Sequence, residues 1–295
     1  MRITNNMIAR NLVSNLNAHL RRQEELHYQL ASGRRLRVPS DDPAATSHSM
    51  RLHSDLEHTR QHRANISRAL SWLEATDSVL NEVGSALQRA KELAVYGANG
   101  TLPSESRQAL ADEIKQILEH MVDLANSSHA GLYLFSGNKT LTKPYELDPA
   151  TGYAGTYQGD GGMREYEISA GVTVAVNVPG EALFDEIFNA LRDLHEALES
   201  DDLDAVGGSA MAGIDSAIDH LLRVRSDVGA RVNRLELAAA RMHELELNVE
   251  QLIADNESVD IAKAIIDLKV SENSYRAALA SGARIIQPTL IDFLR

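Results

Sequence analysis

The chain has 295 residues, 43% of them apolar, which is enough for a core, but only 4% are aromatic and one is a tryptophan. That balance is thin for an aromatic-lined ligand pocket and common in long helices of Ala, Leu, Ile and Val. There is no cysteine, which excludes disulfides, thiolate nucleophiles and thiolate metal sites. The net charge of −13 argues against nucleic acid, whose binding rests on Lys and Arg neutralising phosphates.

Charge is unevenly placed: residues 1–70 hold 11 Lys and Arg against 6 Asp and Glu, so a head of +5 precedes a body of −18. A basic head on an acidic body can steer subunits toward one another. The start, Met1 to Ala18, is polar and helical in pattern rather than basic then apolar, so no cleavable signal peptide is expected. No run of about 18 apolar residues could span a membrane.

In chain order, Leu12, Leu16, His19, Gln23, Leu26 and Leu30 recur at spacings of four and three. Such spacing lays one narrow stripe along a helix, suited to a coiled-coil partner. Ser32, Gly33, Arg34, Arg35, Arg37, Pro39, Ser40, Asp41, Asp42 and Pro43 then break the period. This reads as a helix stop, an extended basic linker and a restart, with Asp42 as cap and Pro43 in the first turn. A second seam runs from Leu52 to Ala94 through Leu73, Asp77, Leu80, Leu87 and Lys91.

Gly97, Asn99, Gly100 and Pro103 turn the chain, Ser104 is a candidate cap, and Leu110, Ile114, Ile117, Met121 and Leu124 form a third stripe. From Tyr133 to Val178 the period changes. Strands are predicted at 153–158, 164–169 and 172–178, with turns at 136–138, 148–152 and 159–162. A helix over about 181–199 follows. Ile214, Ile218, Leu221, Arg225, Val228, Val232, Leu235, Met242, Val249 and Ile253 keep one rhythm, matched in length to the second helix and predicted to lie antiparallel to it. A last seam takes Ile261, Ile265, Leu268, Glu272, Tyr275, Leu279, Gly282 and Ile286.

The predicted fold is therefore mainly α: an elongated antiparallel helical rod or coiled coil formed by the N- and C-terminal halves, with a small β-rich domain inserted in the middle. Residues 1–36 with 256–295 form a terminal coiled coil, 37–135 with 181–255 a helical rod, and 136–180 an outer β-rich domain. The two terminal stripes are thin and broken by polar groups, so each helix needs a partner.

Chemistry-bearing patterns are sparse. His58 and His62 have the four-residue spacing of a ligand pair but lack a third ligand. Glu24 and His27 give a single Glu-x-x-His where a di-iron bundle needs two. The run Gly159, Asp160, Gly161, Gly162 lacks the Lys and Ser/Thr of a phosphate loop and reads as a hairpin turn. The reading is a non-enzyme without catalytic residues, metal or cofactor.

The string Leu30-Ala-Ser-Gly-Arg-Arg-Leu-Arg-Val-Pro-Ser-Asp-Asp-Pro-Ala-Ala45 resembles the signature of the bacterial flagellin family, where a leucine-rich helix runs into a basic, Asp-Asp-Pro spoke. Met1-Arg-Ile-Thr-Asn-Asn-Met7, the turn His129 to Asn138, Val228 to Leu235 and the tail Ile286 to Leu294 are similar to other parts of that family. Tyr157 to Asp160, Asn177 to Gly180 and Phe184 resemble its hook-associated branch.

The resemblance implies a structural component of the bacterial flagellum that joins hook to filament. It would be secreted without a cleavable signal through the flagellar type III apparatus. Implied partners are further copies of the chain, a hook-associated neighbour on one side, flagellin on the other, and an export chaperone. The implied assembly seam is Leu12, Leu16, Leu26, Leu30, Ile261, Ile265, Leu268, Tyr275, Leu279 and Ile286, and the implied spoke is Ser32, Gly33, Arg34, Arg35, Pro39, Asp41, Asp42 and Pro43. Residues 1 to about 36 and 256–295 are expected to order on assembly. Filament flagellin is the nearest alternative reading; a metal-binding helical-bundle enzyme and a secretion-needle or translocator protein are more distant ones.

Overall fold

The structure, a computed structural model, describes residues 5–148 and 152–286. It is mainly helical: α1 (Asn5–Ser32), α2 (Pro43–Gly97), α3 (Ser104–Ala125), α4 (Gly180–Glu199), α5 (Leu203–Ala205), α6 (Met211–Glu257) and α7 (Ile261–Ile286). Two small antiparallel sheets fall in the middle, β1 (Ser128–His129) with β2 (Leu132–Tyr133), and β3 (Glu165–Ser169) with β4 (Val172–Ala175). The chain divides into two compact units, residues 59–244 and residues 1–58 with 245–295. Those divisions fall inside α2 and α6, where no helix ends. Of the limits read from breaks in sequence pattern, 36 lies in the loop after α1 and 256 in the last turn of α6.

In residues 59–244 the seams do what their spacing requires. Leu73, Leu80 and Leu87 of α2 meet Ile214, Leu221, Val228 and Leu235 of α6, together with Ile114 and Leu118 of α3 and Ile187, Leu191 and Leu194 of α4, in one buried core. Charges that interrupt the two long seams answer each other across it. Arg225 Nε lies 3.1 Å from Asp77 Oδ1, and Lys91 Nζ lies 2.6 Å from Asp215 Oδ1, which fixes α2 and α6 antiparallel. Five of the aromatic residues, Phe135, Tyr145, Tyr157, Phe184 and Phe188, gather at one place: Phe135 and Phe184 meet edge to face at 4.9 Å, and Tyr145 meets Phe188 at 5.0 Å and Tyr157 at 5.3 Å.

The β3–β4 hairpin joins this core through Ile168, Val174 and Val176. Asn65 Nδ2 donates to Glu167 O at 3.0 Å, and Arg231 Nη1 donates to Ala175 O at 3.1 Å, so α2 and α6 each hold one edge of the hairpin. Residues 153–158, predicted as a strand, form only the single bridge Leu147 to Ala154. Their backbone bonds run to 144–148, with Gly155 N–H donating to Glu146 O at 2.7 Å and Gln158 N–H to Pro144 O at 2.8 Å, without closing a regular ladder, and Tyr157 turns inward to donate to Phe135 O at 2.7 Å. Ser104 does not cap α3: it is the first helical residue, and the N-cap position is Pro103 with no side-chain hydrogen bond. Asp42 does cap α2, its Oδ1 accepting Ala45 N–H at 3.0 Å.

In the second unit α1 and α7 pack against one another, antiparallel, with Leu12 near the start of α1 beside Gly282 near the end of α7. Leu52 and Leu56 of α2 meet Val249 and Ile253 of α6 in a small separate cluster.

Candidate assembly interface

The spoke is built from short-range bonds that its sequence dictates. Gly33 takes φ +69°, the left-handed conformation that ends a helix and suits glycine, and its N–H donates to Gln29 O at 2.8 Å. Ser32 Oγ donates to Tyr28 O at 2.8 Å and accepts Arg34 N–H at 3.2 Å. Arg34 pairs with Ser258 as a bridge between the spoke and the α6–α7 turn. The exposed bend at Pro39 is closed by Asp41, whose Oδ2 accepts the N–H groups of Arg37 and Val38, each at 3.1 Å. Arg35 Nη1 stands 3.5 Å from Asp42 Oδ2. The backbone bond from Ala45, with Arg35 beside it, holds the Asp42 carboxyl below the usual carboxylate range despite partial burial. Pro43 then opens α2, where its missing N–H costs nothing.

The terminal seam is placed in part as its spacing predicts. On α1, Leu26 is 6% exposed and Leu12, Leu16 and Leu30 are half-buried. On α7, Leu268 is buried and Tyr275 half-buried, but Ile261, Ile265 and Leu279 are 56%, 47% and 44% exposed. The buried face of α7 is instead Ala264, Leu268, Ser271, Tyr275, Ala278 and Gly282, which shares one heptad column with the predicted seam and shifts the other by a single residue. The physical reason is close approach. A Cβ at Gly282 would stand 2.3 Å from Leu12 Cδ2, so at that point α1 lies where glycine admits it. The side chain of Ile286, and the tail 287–295, lie outside the described residues.

Turning α7 small-side inward leaves its large residues outward. Ile261, Ile265, Ile266, Val270 and Leu279 on α7, with Met7, Val13 and Leu20 on α1, are all more than 40% exposed. Isolated exposed apolar residues are ordinary; these eight lie on two helices that pack against each other. The spacing of Ala264, Ser271, Ala278 and Gly282 was the signal available in sequence; it is hidden when only large apolar residues are followed.

Among the described residues no three His, Cys, Asp or Glu side chains converge as a metal set. No helix among them is long and apolar enough to cross a membrane. His62 Nδ1 faces Glu167 O at 3.5 Å. Asp160, in the glycine run, holds a turn, its Oδ1 accepting Asn138 N–H at 2.6 Å and Gly162 N–H at 3.2 Å.

Paired terminal helices, a basic spoke capped at the start of α2 and a core of antiparallel helices define a mainly helical protein with no convergent metal set among the described residues. The family model for the bacterial flagellin N-terminal helical region matches residues 3–140, and that for the C-terminal helical region matches residues 211–294. The chain belongs to the bacterial flagellin family, a family of structural flagellar proteins. It is 27% identical over 280 residues to flagellar hook-associated protein 3 of Escherichia coli strain K12, covering 84% of this chain and 87% of that one. It is 24% identical to the flagellar filament 30.7 kDa core protein of Treponema maltophilum, covering 85% and 84%. The crystal structure of Bacillus cereus FlgL matches with a TM-score of 0.61 and 26% identity, over 69% of this chain and 99% of that one.

Proposed function

We propose that this chain is a structural subunit of the bacterial flagellum that forms the short junction between hook and filament. The observation that carries the reading is the apolar outer face of the α1–α7 pair, which a monomer leaves in water and a neighbouring subunit would cover. The relatedness to flagellar hook-associated protein 3 and the Bacillus cereus FlgL fold support the junction over other flagellar positions. Its partners are then further copies of itself, a hook-associated protein beneath and flagellin above. Export without a cleavable signal and passage with a chaperone belong to the same reading, as does the absence of catalysis.

Assembly supplies what the terminal pair lacks. Burying a Leu or Ile side chain is worth roughly 1.5 to 3 kcal/mol, whereas backbone ordering costs about 1 to 2 kcal/mol per residue. With Leu26 alone buried among the α1 leucines, and Ala, Ser and Gly beside Leu268 and Tyr275 on α7, the seam between α1 and α7 is thin. The helices are therefore marginal alone and become fully ordered when Ile261, Ile265 and Leu279 are covered by a neighbour.

Adding the purified chain to isolated hooks tests this. The expected result is one short zone of fixed length at the hook tip, on which flagellin then grows. The alternative, filament flagellin, has the Treponema maltophilum relative in its favour; unaided growth of long filaments would choose it.

A further inference from the structure

Glu257, the last residue of α6, belongs to no helix seam, yet three segments of the terminal unit close on it. It is 9% exposed. Its carboxylate accepts from Ser49 Oγ of α2, lies 2.8 Å from His53 Nε2 of α2, and lies 3.7 Å from Arg34 Nε of the spoke. Its backbone carbonyl accepts Arg35 N–H at 2.7 Å, and Val259 N–H returns to Gly33 O at 3.0 Å. Beside it, Asn256 Nδ2 donates to Ala45 O at 3.0 Å while its carbonyl accepts from Arg35 Nη2 at 3.3 Å.

A helix end needs none of this. A carboxylate taken out of water is costly unless it is both paired and hydrogen-bonded, so a buried one with three side-chain partners from elsewhere in sequence couples those partners to each other. We propose that the ionised Glu257 carboxylate is a latch: it clamps the spoke at Gly33–Arg35 to the α6–α7 turn and to the first turns of α2, and neutralising it opens the elbow. The latch sets where ordered structure ends and the assembly-dependent helices begin. It stands whether or not the chain occupies the hook junction.

The charged and titratable groups that face the carboxylate are the Arg34 guanidinium from the spoke and the His53 imidazole from α2. Arg35 sits behind them on Asp42, while Asp41, Asp42 and Asp260 turn their carboxylates to backbone amides. Burial pushes the Glu257 carboxyl up, but Ser49, His53 and Arg34 outweigh it and hold the group below the usual range. A lowered folded-state value stabilises above the unfolded value of about 4.3 and loses that stabilisation as pH falls through the folded one. Acid should therefore open the latch.

Hydrogen exchange of the full-length chain tests it. In the wild type the Arg35 and Val259 amides are expected to be protected. Glu257→Gln should lower both protection factors by about tenfold or more and speed tryptic cleavage at Arg34, Arg35 and Arg37, leaving residues 211–244 unchanged. Ser49→Ala, which keeps the charge and removes one donor, should give a smaller loss at the same two amides. Lowering the pH in steps from neutral until the Glu257 carboxylate takes up its proton should reproduce the loss in the wild type and add little in Glu257→Gln. Unprotected Arg35 and Val259 in the wild type would overturn the latch. So would an unchanged Glu257→Gln variant, equal pH dependence in both chains, or a loss spreading evenly through residues 211–244. Protected α1 and α7 in the free chain would instead count against assembly-coupled ordering and leave the latch intact.

Discussion

Residues 59–244 and the terminal unit both hold long helices side by side, but they spend their large side chains differently. In the first, α6 turns Ile214, Leu221, Val228 and Leu235 into a core where none is more than 1% exposed. In the second, α7 turns Ala264, Ser271 and Gly282 toward α1 and leaves Ile261, Ile265 and Leu279 outside. The same heptad-like rhythm therefore yields a self-sufficient core in one place and, on the reading proposed above, a surface for another subunit in the other. What differs is which column of the repeat carries the bulk, since helix spacing fixes a stripe but not which stripe a partner takes.

The contrast can be broken most forcefully inside residues 59–244. Phe184 is fully buried against Phe135, Tyr145 and Phe188. Phe184→Ala should cost about 3 to 5 kcal/mol and lower the main thermal transition; a shift no larger than that of a surface variant would mean the aromatic cluster is not central to that core. Next comes Leu268→Ala, at about 2 kcal/mol or more but felt only in the terminal unit. In the assembled chain, exchange in α1 and α7 should quicken while residues 211–244 keep their protection. Gly282→Val should act in the same region by pushing Leu12 aside; unchanged exchange of α1 in the assembled chain would refute the close approach.

The smallest stability effect should accompany the largest functional one. Ile265→Asp with Leu279→Asp lies on the exposed face, so the melting behaviour should move by no more than about 0.5 kcal/mol per site. Assembly onto hooks should nonetheless fail. Normal assembly by this variant would remove the outer face of α7 from the account. Deleting Ile286–Arg295 should likewise leave residues 59–244 folded and stop assembly.

Much of the fold was legible because periodicity is a local property. The seams of α1, α2, α3 and α6 follow directly from spacing, and Asp42-Pro43 announces the start of α2. Three features were not legible, each for a physical reason. The register of α7 depends on how closely α1 approaches, which small residues permit but do not advertise. The stretch 153–158 has strand composition, yet its backbone bonds to 144–148 close only one bridge and no regular ladder. Glu257 draws Arg34, Ser49 and His53 from across the sequence, with Ser49 208 positions away, so no motif could foretell it.

Hydrogen exchange of the free and the assembled chain, followed peptide by peptide, addresses the central claim most directly. In the free chain, α1 and α7 should exchange rapidly while residues 211–244 are strongly protected; on assembly, the terminal helices should gain protection and the core should not change. Strong protection of α1 and α7 in the free chain would contradict the claim that their partner is another subunit.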